Sequence, residues 1–274
     1  MNKAFVEKIR NAVAESLKDK IVEVREVEKR NGVMYTGISI RTEGCNIAPT
    51  IYLDEKMSVE ENVQRVLETY VQYQPKGDVD VEWFKDYEQV KEKLAIMITS
   101  KPIKGLAKRK APGFDDLYMH AYVIVSNSVL GMGNIKITTE HLKTWGISNA
   151  KLFADALKSA PSVTPLKQRS MLDTLAAMGV PVPVGLMDSD PMTVVTNKES
   201  VLGAAAILYT EVKENTYMIP SSVHEVILVD GDKLEEDVML NQMIHEVNNT
   251  ELAPEDYLSN HAYRYNGKKW ENVA

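Results

Sequence analysis

Residues 192–229 read M-T-V-V-T-N-K-E-S-V-L-G-A-A-A-I-L-Y-T-E-V-K-E-N-T-Y-M-I-P-S-S-V-H-E-V-I-L-V, the densest apolar and best-punctuated stretch of the chain. The β-branched run 193–196 predicts a strand. It ends at Asn197, a residue type that caps helices by accepting a backbone N–H. Helix-favouring residues then continue to Tyr209. Residues 217–219 predict a short strand, broken by Pro220-Ser221-Ser222, and 226–229 predict a buried one. A strand–helix–strand–strand segment of this density sets a core. It does not name a reaction.

The flanking sequence supplies the rest of an α+β architecture: an N-terminal helix plus an antiparallel hairpin and sheet layer, followed by a larger mixed α+β region. Phe5, Ile9, Val13 and Leu17 recur at helical spacing, predicting an amphipathic helix over 2–18. Two β runs, 21–27 and 33–40, are joined at Asn31-Gly32, a pair that supplies the positive φ values of a tight hairpin. A third strand is expected at 47–53. Ser58 and Glu61 form a capping box ahead of a helix that stops before Pro75. The spacing of Tyr87, Val90, Leu94, Met97 and Ile98 predicts a further helix over 81–99. Beyond it the pattern predicts a strand at 134–138 after a turn at 127–133, helices at 139–145, 148–160 and 168–178, a helix with Leu240, Met243, Ile244 and Val247 as its buried stripe, and a closing hairpin around Asn266-Gly267.

Residues 101–113, K-P-I-K-G-L-A-K-R-K-A-P-G, change the composition abruptly and predict a basic loop or linker. The expected division is therefore an N-terminal α+β domain over 1–100 and a C-terminal α+β domain over 114–274. The formal net charge of −7 argues against a general binder of nucleic acid or anionic membrane. Cys45 is the one cysteine in the chain, so neither an intramolecular disulfide nor a thiolate metal cluster is expected. No stretch approaches the ~18–20 apolar residues of a membrane span. The charged N-terminus has no signal-peptide h-region. The expectation is a cytoplasmic protein.

Candidate sites are few. His224-Glu225 and His245-Glu246 each lack the second histidine four residues on, where Leu228 and Asn249 stand, so the zincin pattern fails and no metal site is expected. Ser222 and His224 invite a nucleophile-and-base reading, with Glu225 and Asn197 as further candidates. No G-x-S-x-G elbow surrounds Ser222, and the alternative is that Pro220-Ser221-Ser222 breaks a strand and caps its loose backbone groups. Gly131-Met132-Gly133 lacks the spacing of a phosphate-binding fingerprint, so no cofactor is expected. Lys101, Lys104, Lys108, Arg109 and Lys110 form the one basic cluster, suited to phosphate or an acidic protein surface. No aromatic interleaves with them, which weighs against single-strand nucleic-acid binding.

The phrases G-C-N-I-A-P-T-I-Y-L, T-E-H-L-K-T-W-G, T-N-K-E-S-V-L-G-A-A-A-I-L-Y and Y-M-I-P-S-S-V-H-E-V-I-L together resemble a bacterial family of unknown function, family 5688, over nearly the whole chain. The resemblance implies an intracellular bacterial protein, often carried by genomes rich in mobile elements, and brings no catalytic residues with it. The functional expectation is a non-catalytic binding or regulatory module with a protein partner, linked to mobile elements or host defence. The alternatives are a hydrolase or transferase working through Ser222 and His224, and a nucleic-acid-associated factor working through 101–110.

Overall fold

The computed structural model describes residues 1–74, 77–127, 131–177, 179–181, 192–234 and 240–273. It is an α+β structure whose described residues form two compact units: Met1–Trp83 with Val125–Gly133, and Phe84–Ile124 with Asn134–Ala274.

The first unit opens with α1 (Lys3–Ser16), capped by Asn2, whose side chain accepts the Ala4 N–H at 2.9 Å. Strands β1 (Ile21–Glu28) and β2 (Met34–Arg41) form the expected hairpin, with Asn31 at φ 61° and Gly32 at φ 75° in its turn. β3 (Thr50–Tyr52) extends the antiparallel sheet to the order β1-β2-β3. It is the core of the strand expected at 47–53, because the Ile40 N–H still reaches Pro49 O and the Leu53 N–H reaches Thr36 O. α2 (Val59–Tyr73) starts at the predicted capping box, with both reciprocal bonds between Ser58 and Glu61 present. Val6, Ile9 and Val13 of α1 and Val66 and Tyr70 of α2 bury against Ile38, Ile40, Ile51 and Leu53. Asn62, wholly buried, secures the loop before α2: its amide donates to the carbonyls of Asp54, Met57 and Ser58 and accepts the Asp54 N–H.

No long helix forms over 81–99. The chain makes a 3₁₀ turn at Glu82–Lys85, the single turn α3 (Tyr87–Val90), a second 3₁₀ turn, and then β4 (Leu94–Thr99), every residue of which is buried. A helix would have turned Ile96 outward. The strand buries it, a gain of about 1.5–3 kcal/mol that exceeds the helix-propensity differences of at most ~0.7 kcal/mol per residue. Such a strand must be covered by other elements. α5 (Asn149–Val163) packs against β4, and so does a 3₁₀ segment, Gly203–Tyr209.

β4 pairs with β6 (Tyr118–Asn127), which also carries the short β5 (Arg109–Lys110) and β7 (Gly131–Lys136). Of the turn expected at 127–133, residues 127 and 131–133 are strand, and 128–130 lie outside the described residues. Residues 101–113, expected as a linker, lie within the second unit and bury Ile103, Ala107 and Ala111. The capped helix α4 (Thr139–Trp145) precedes α5, and Thr138 and Ser148 cap them. Where a helix was expected from Gln168, the chain instead forms the strand β8 (Leu166–Ser170) followed by α6 (Met171–Ala177), because β8 pairs residue by residue with β9 (Met192–Asn197).

β10 (Thr216–Ile219), β11 (Val226–Asp230), β12 (Tyr263–Tyr265) and β13 (Trp270–Asn272) complete an antiparallel six-stranded sheet of order β13-β12-β10-β11-β9-β8. α7 (Leu240–Thr250) packs Leu240 and Ile244 against Tyr217, Val229 and Ala262. Met243 and Val247, expected in the same stripe, are instead 55% and 45% exposed. This register is testable by urea unfolding. Ile244→Ala should cost about 2–5 kcal/mol, whereas Met243→Lys should stay within about 0.5 kcal/mol of the parent. Equal losses would show that the helix is rotated from the position described.

Candidate functional site

The two phrases that stand out in the sequence, T-N-K-E-S-V-L-G and P-S-S-V-H-E-V, meet in space. β9 and β11 pair with Val195 opposite Val226, so the end of β9 lies against the loop that leads into β11. Thr196 Oγ1 donates to His224 O at 2.7 Å across this junction. Asn197 does not cap an α-helix. Its buried amide donates to Val201 O at 2.7 Å and accepts the Val201 N–H at 3.3 Å, closing a loop in which Ser200 and Leu202 adopt φ of 54° and 55°. The 3₁₀ segment then begins at Gly203. A Cβ there would lie 2.1 Å from Thr196 Oγ1, 2.6 Å from Asn197 N and 2.7 Å from His224 O.

His224 is held at both ring nitrogens. Its Nδ1 accepts the Leu202 N–H at 3.1 Å, which leaves the proton on Nε2, facing Asp256 Oδ1 at 3.3 Å. The Asp256 main chain closes the loop from the same side, its carbonyl accepting the Val223 N–H at 2.8 Å. Ser222, 7% exposed, uses its Oγ to accept the His224 main-chain N–H at 3.0 Å, and its own N–H reaches Glu225 O. Among the described residues no bond runs from Ser222 Oγ to either ring nitrogen of His224. Among the described residues Glu225 enters the site through its main chain.

Ser222, His224 and Asn197 are therefore brought together, and apart from His224 Nε2, which faces the Asp256 carboxylate, their polar atoms are directed at backbone. A serine nucleophile needs an imidazole nitrogen with a free lone pair to take its proton. Here that lone pair is filled by the Leu202 N–H. The arrangement is a hydrogen-bonded clasp joining β9, the 3₁₀ segment, the β11 loop and the turn at Asp256. The sequence offers no signal for Asp256, because no spacing rule ties it to His224.

The chain belongs to a family of unknown function, DUF5688. The family model matches residues 2–267. Comparison with curated proteins and with solved structures found no match. The phrases that meet at the clasp lie within the matched span, and the match leaves their chemistry to be read from the geometry. Among the described residues no helix is long and apolar enough to cross a membrane.

A second histidine–aspartate pair, also missed in the sequence, lies elsewhere in this unit. His261 Nε2 is 2.9 Å from Asp116 Oδ2, its Nδ1 is 3.2 Å from Ala262 O, and the Tyr263 hydroxyl donates to both Asp116 oxygens. Both ring nitrogens face acceptors, which favours the imidazolium. The bond to Asp116 raises the His261 pKa above its ordinary 6.5, and the Ala262 carbonyl adds to it. Burial pulls the Asp116 carboxyl upward, but the donors His261 and Tyr263 outweigh it and hold the pKa below the ordinary range. Phe114 stacks on Trp270 beside this pair, with ring planes 10° apart.

The five cations of the basic cluster are all exposed. Lys110 is drawn down, with Nζ donating to Asp115 O at 2.6 Å and sitting 4.1 Å from the centre of the Tyr118 ring.

Two outcomes are expected. Gly203→Ala should cost about 1–3 kcal/mol, towards the upper end because backbone atoms of Asn197 and His224 block the new methyl, as read by urea unfolding. A fully stable variant would mean that the close approach at 203 is not maintained. For His261 the raised pKa makes its contribution complete below the ordinary histidine value and lost as pH rises through the raised one. His261→Gln should therefore flatten the fall in stability across that interval. Parallel pH curves for variant and parent would refute the pairing.

Proposed function

We propose that the protein is a non-catalytic binding or regulatory module in which the Ser222–His224 loop is architecture. One observation carries this reading: both imidazole nitrogens of His224 are occupied, one by a main-chain N–H and the other by Asp256, while Ser222 Oγ serves the backbone. The residues that would carry a hydrolase or transferase reaction are thus engaged in holding the β9–β11 junction. What such a fold offers a partner is its surface, and the expected partner is another protein.

The role of His224 separates this reading from an enzymatic one. His224→Ala leaves the buried Leu202 N–H without its acceptor and removes the ring contact to Asp256, so unfolding free energy should fall by about 1–3 kcal/mol. His224→Asn, whose amide oxygen can stand in for Nδ1, should recover part of the loss. Thermal unfolding and urea titration read both. If His224→Ala unfolds like the parent but abolishes hydrolysis of a panel of ester and phosphoester substrates that the parent turns over, the catalytic reading replaces this one.

A further inference from the structure

Residues 101–111 combine an ordered backbone with unpaired charge. Ile103, Ala107 and Ala111 point inward at intervals of four and are at most 8% exposed, while the lysines and Arg109 between them face out. The backbone is pinned along its length. Thr99 Oγ1 donates to Lys101 O at 2.7 Å, the Ile103 N–H reaches His120 Nε2 at 3.3 Å, and His120 Nδ1 lies 2.9 Å from Ala107 O. The Ala107 N–H reaches Ile137 O, the Thr139 N–H reaches Gly105 O, and Asn149 Nδ2 donates to Lys108 O. Arg109 and Lys110 pair with Met119 and Tyr118 of β6.

The charges themselves are left open. Among the described residues Lys101, Lys104, Lys108 and Arg109 have no carboxylate within 4.0 Å. Other lysines of the same unit do: Lys91, Lys143 and Lys151 sit 2.5, 2.7 and 3.0 Å from Glu88, Glu140 and Asp155. In a chain of net charge −7, four unpaired cations on one pinned segment form a local field opposite in sign to the whole.

We propose that this basic strip is the docking surface of the module and that its occupant is an acidic segment of a partner protein. The inference rests on the binding-module reading and names the partner's chemistry. Pinning matters because a loop that must be ordered on binding loses affinity to that ordering, and here the backbone is already ordered by the fold. The choice of protein over nucleic acid follows from extent and from stacking. A polynucleotide carries its charge well beyond a ten-residue strip and would meet the net negative remainder of the chain. Bases also need an open ring face, and the Tyr118 ring beside the strip is covered by Lys110. A short acidic segment meets only the cations.

The test is fluorescence-anisotropy titration of the full chain with labelled oligoglutamate, oligothymidylate and duplex DNA over a salt series. The parent is compared with K104E/K108E/R109E and with K3E/K8E/K18E, a control making the same change in net charge on exposed lysines of the first unit. The strip reversal, which removes two or three exposed charge pairs, should weaken oligoglutamate binding at least about tenfold, and the control less than about twofold, with thermal unfolding preserved. If the reversal disturbs folding, K104Q/K108Q/R109Q carries the same comparison. Equal losses in strip and control variants, or no saturable binding of oligoglutamate, overturn the proposal. Tighter binding of either nucleic acid that is lost on reversal overturns it in favour of a nucleic-acid partner. None of these outcomes bears on His224, whose role is decided by the unfolding of its own variants.

Discussion

Much of the second unit depends on there being no side chain at position 203. Thr196 Oγ1 and the carbonyl of His224 occupy the space where a Cβ would project, and the hydrogen bond between them crosses the β9–β11 junction. That contact sets where the 3₁₀ segment Gly203–Tyr209 begins, and the segment packs against β4. A strand of six buried residues has no polar face to turn to water. It is tolerable only because α5 and the 3₁₀ segment cover it. The three neighbouring alanines, Ala204, Ala205 and Ala206, are buried to 2% exposure or less, which lets the segment lie close without displacing the core.

Three histidines show how one side chain is put to different structural uses by what surrounds its ring. His120, wholly buried, donates from Nδ1 and accepts at Nε2, and burial pushes its pKa down. His224 has the opposite tautomer, accepting at Nδ1 and carrying its proton on Nε2. His261 has acceptors on both sides and favours the cation. In each case the partners use the ring completely, and a ring so used ties segments together. That is the physical basis for separating a conspicuous histidine from a catalytic one.

What was legible in the chain follows the range of the interactions involved. Asn31-Gly32, Ser58 with Glu61, and Ser148 act within four residues, and each does in the structure what its local chemistry predicts. The α+β class follows from the same short-range patterns. The spacing of residues 94–99 fits a helix equally well, and only the packing of α5 and the 3₁₀ segment on β4 decides for a strand. The phrases around Asn197 and Ser222–His224 stand out in the sequence as a dense stretch. Their bonding was not legible, since it depends on Asp256, 32 residues from His224. Asp116 and His261 are 145 residues apart and had no signal at all. The basic cluster was visible from composition, but its fixed backbone was not.

His120 and His261, two histidines of this unit, have pKa shifts of opposite sign. His120 anchors the strip only while Nε2 has a lone pair for the Ile103 N–H. Its depressed pKa means that this contribution is present above the ordinary histidine value and is lost as pH falls through the lowered one. His261 works in the reverse sense, strongest in mild acid and weakening as pH rises through its raised value. The unit is therefore most completely tied between the two, where His120 is neutral and His261 is charged. His120, which holds Ile103 and Ala107 in place, thus also sets the lower pH limit at which Lys104, Lys108 and Arg109 are presented from a rigid frame.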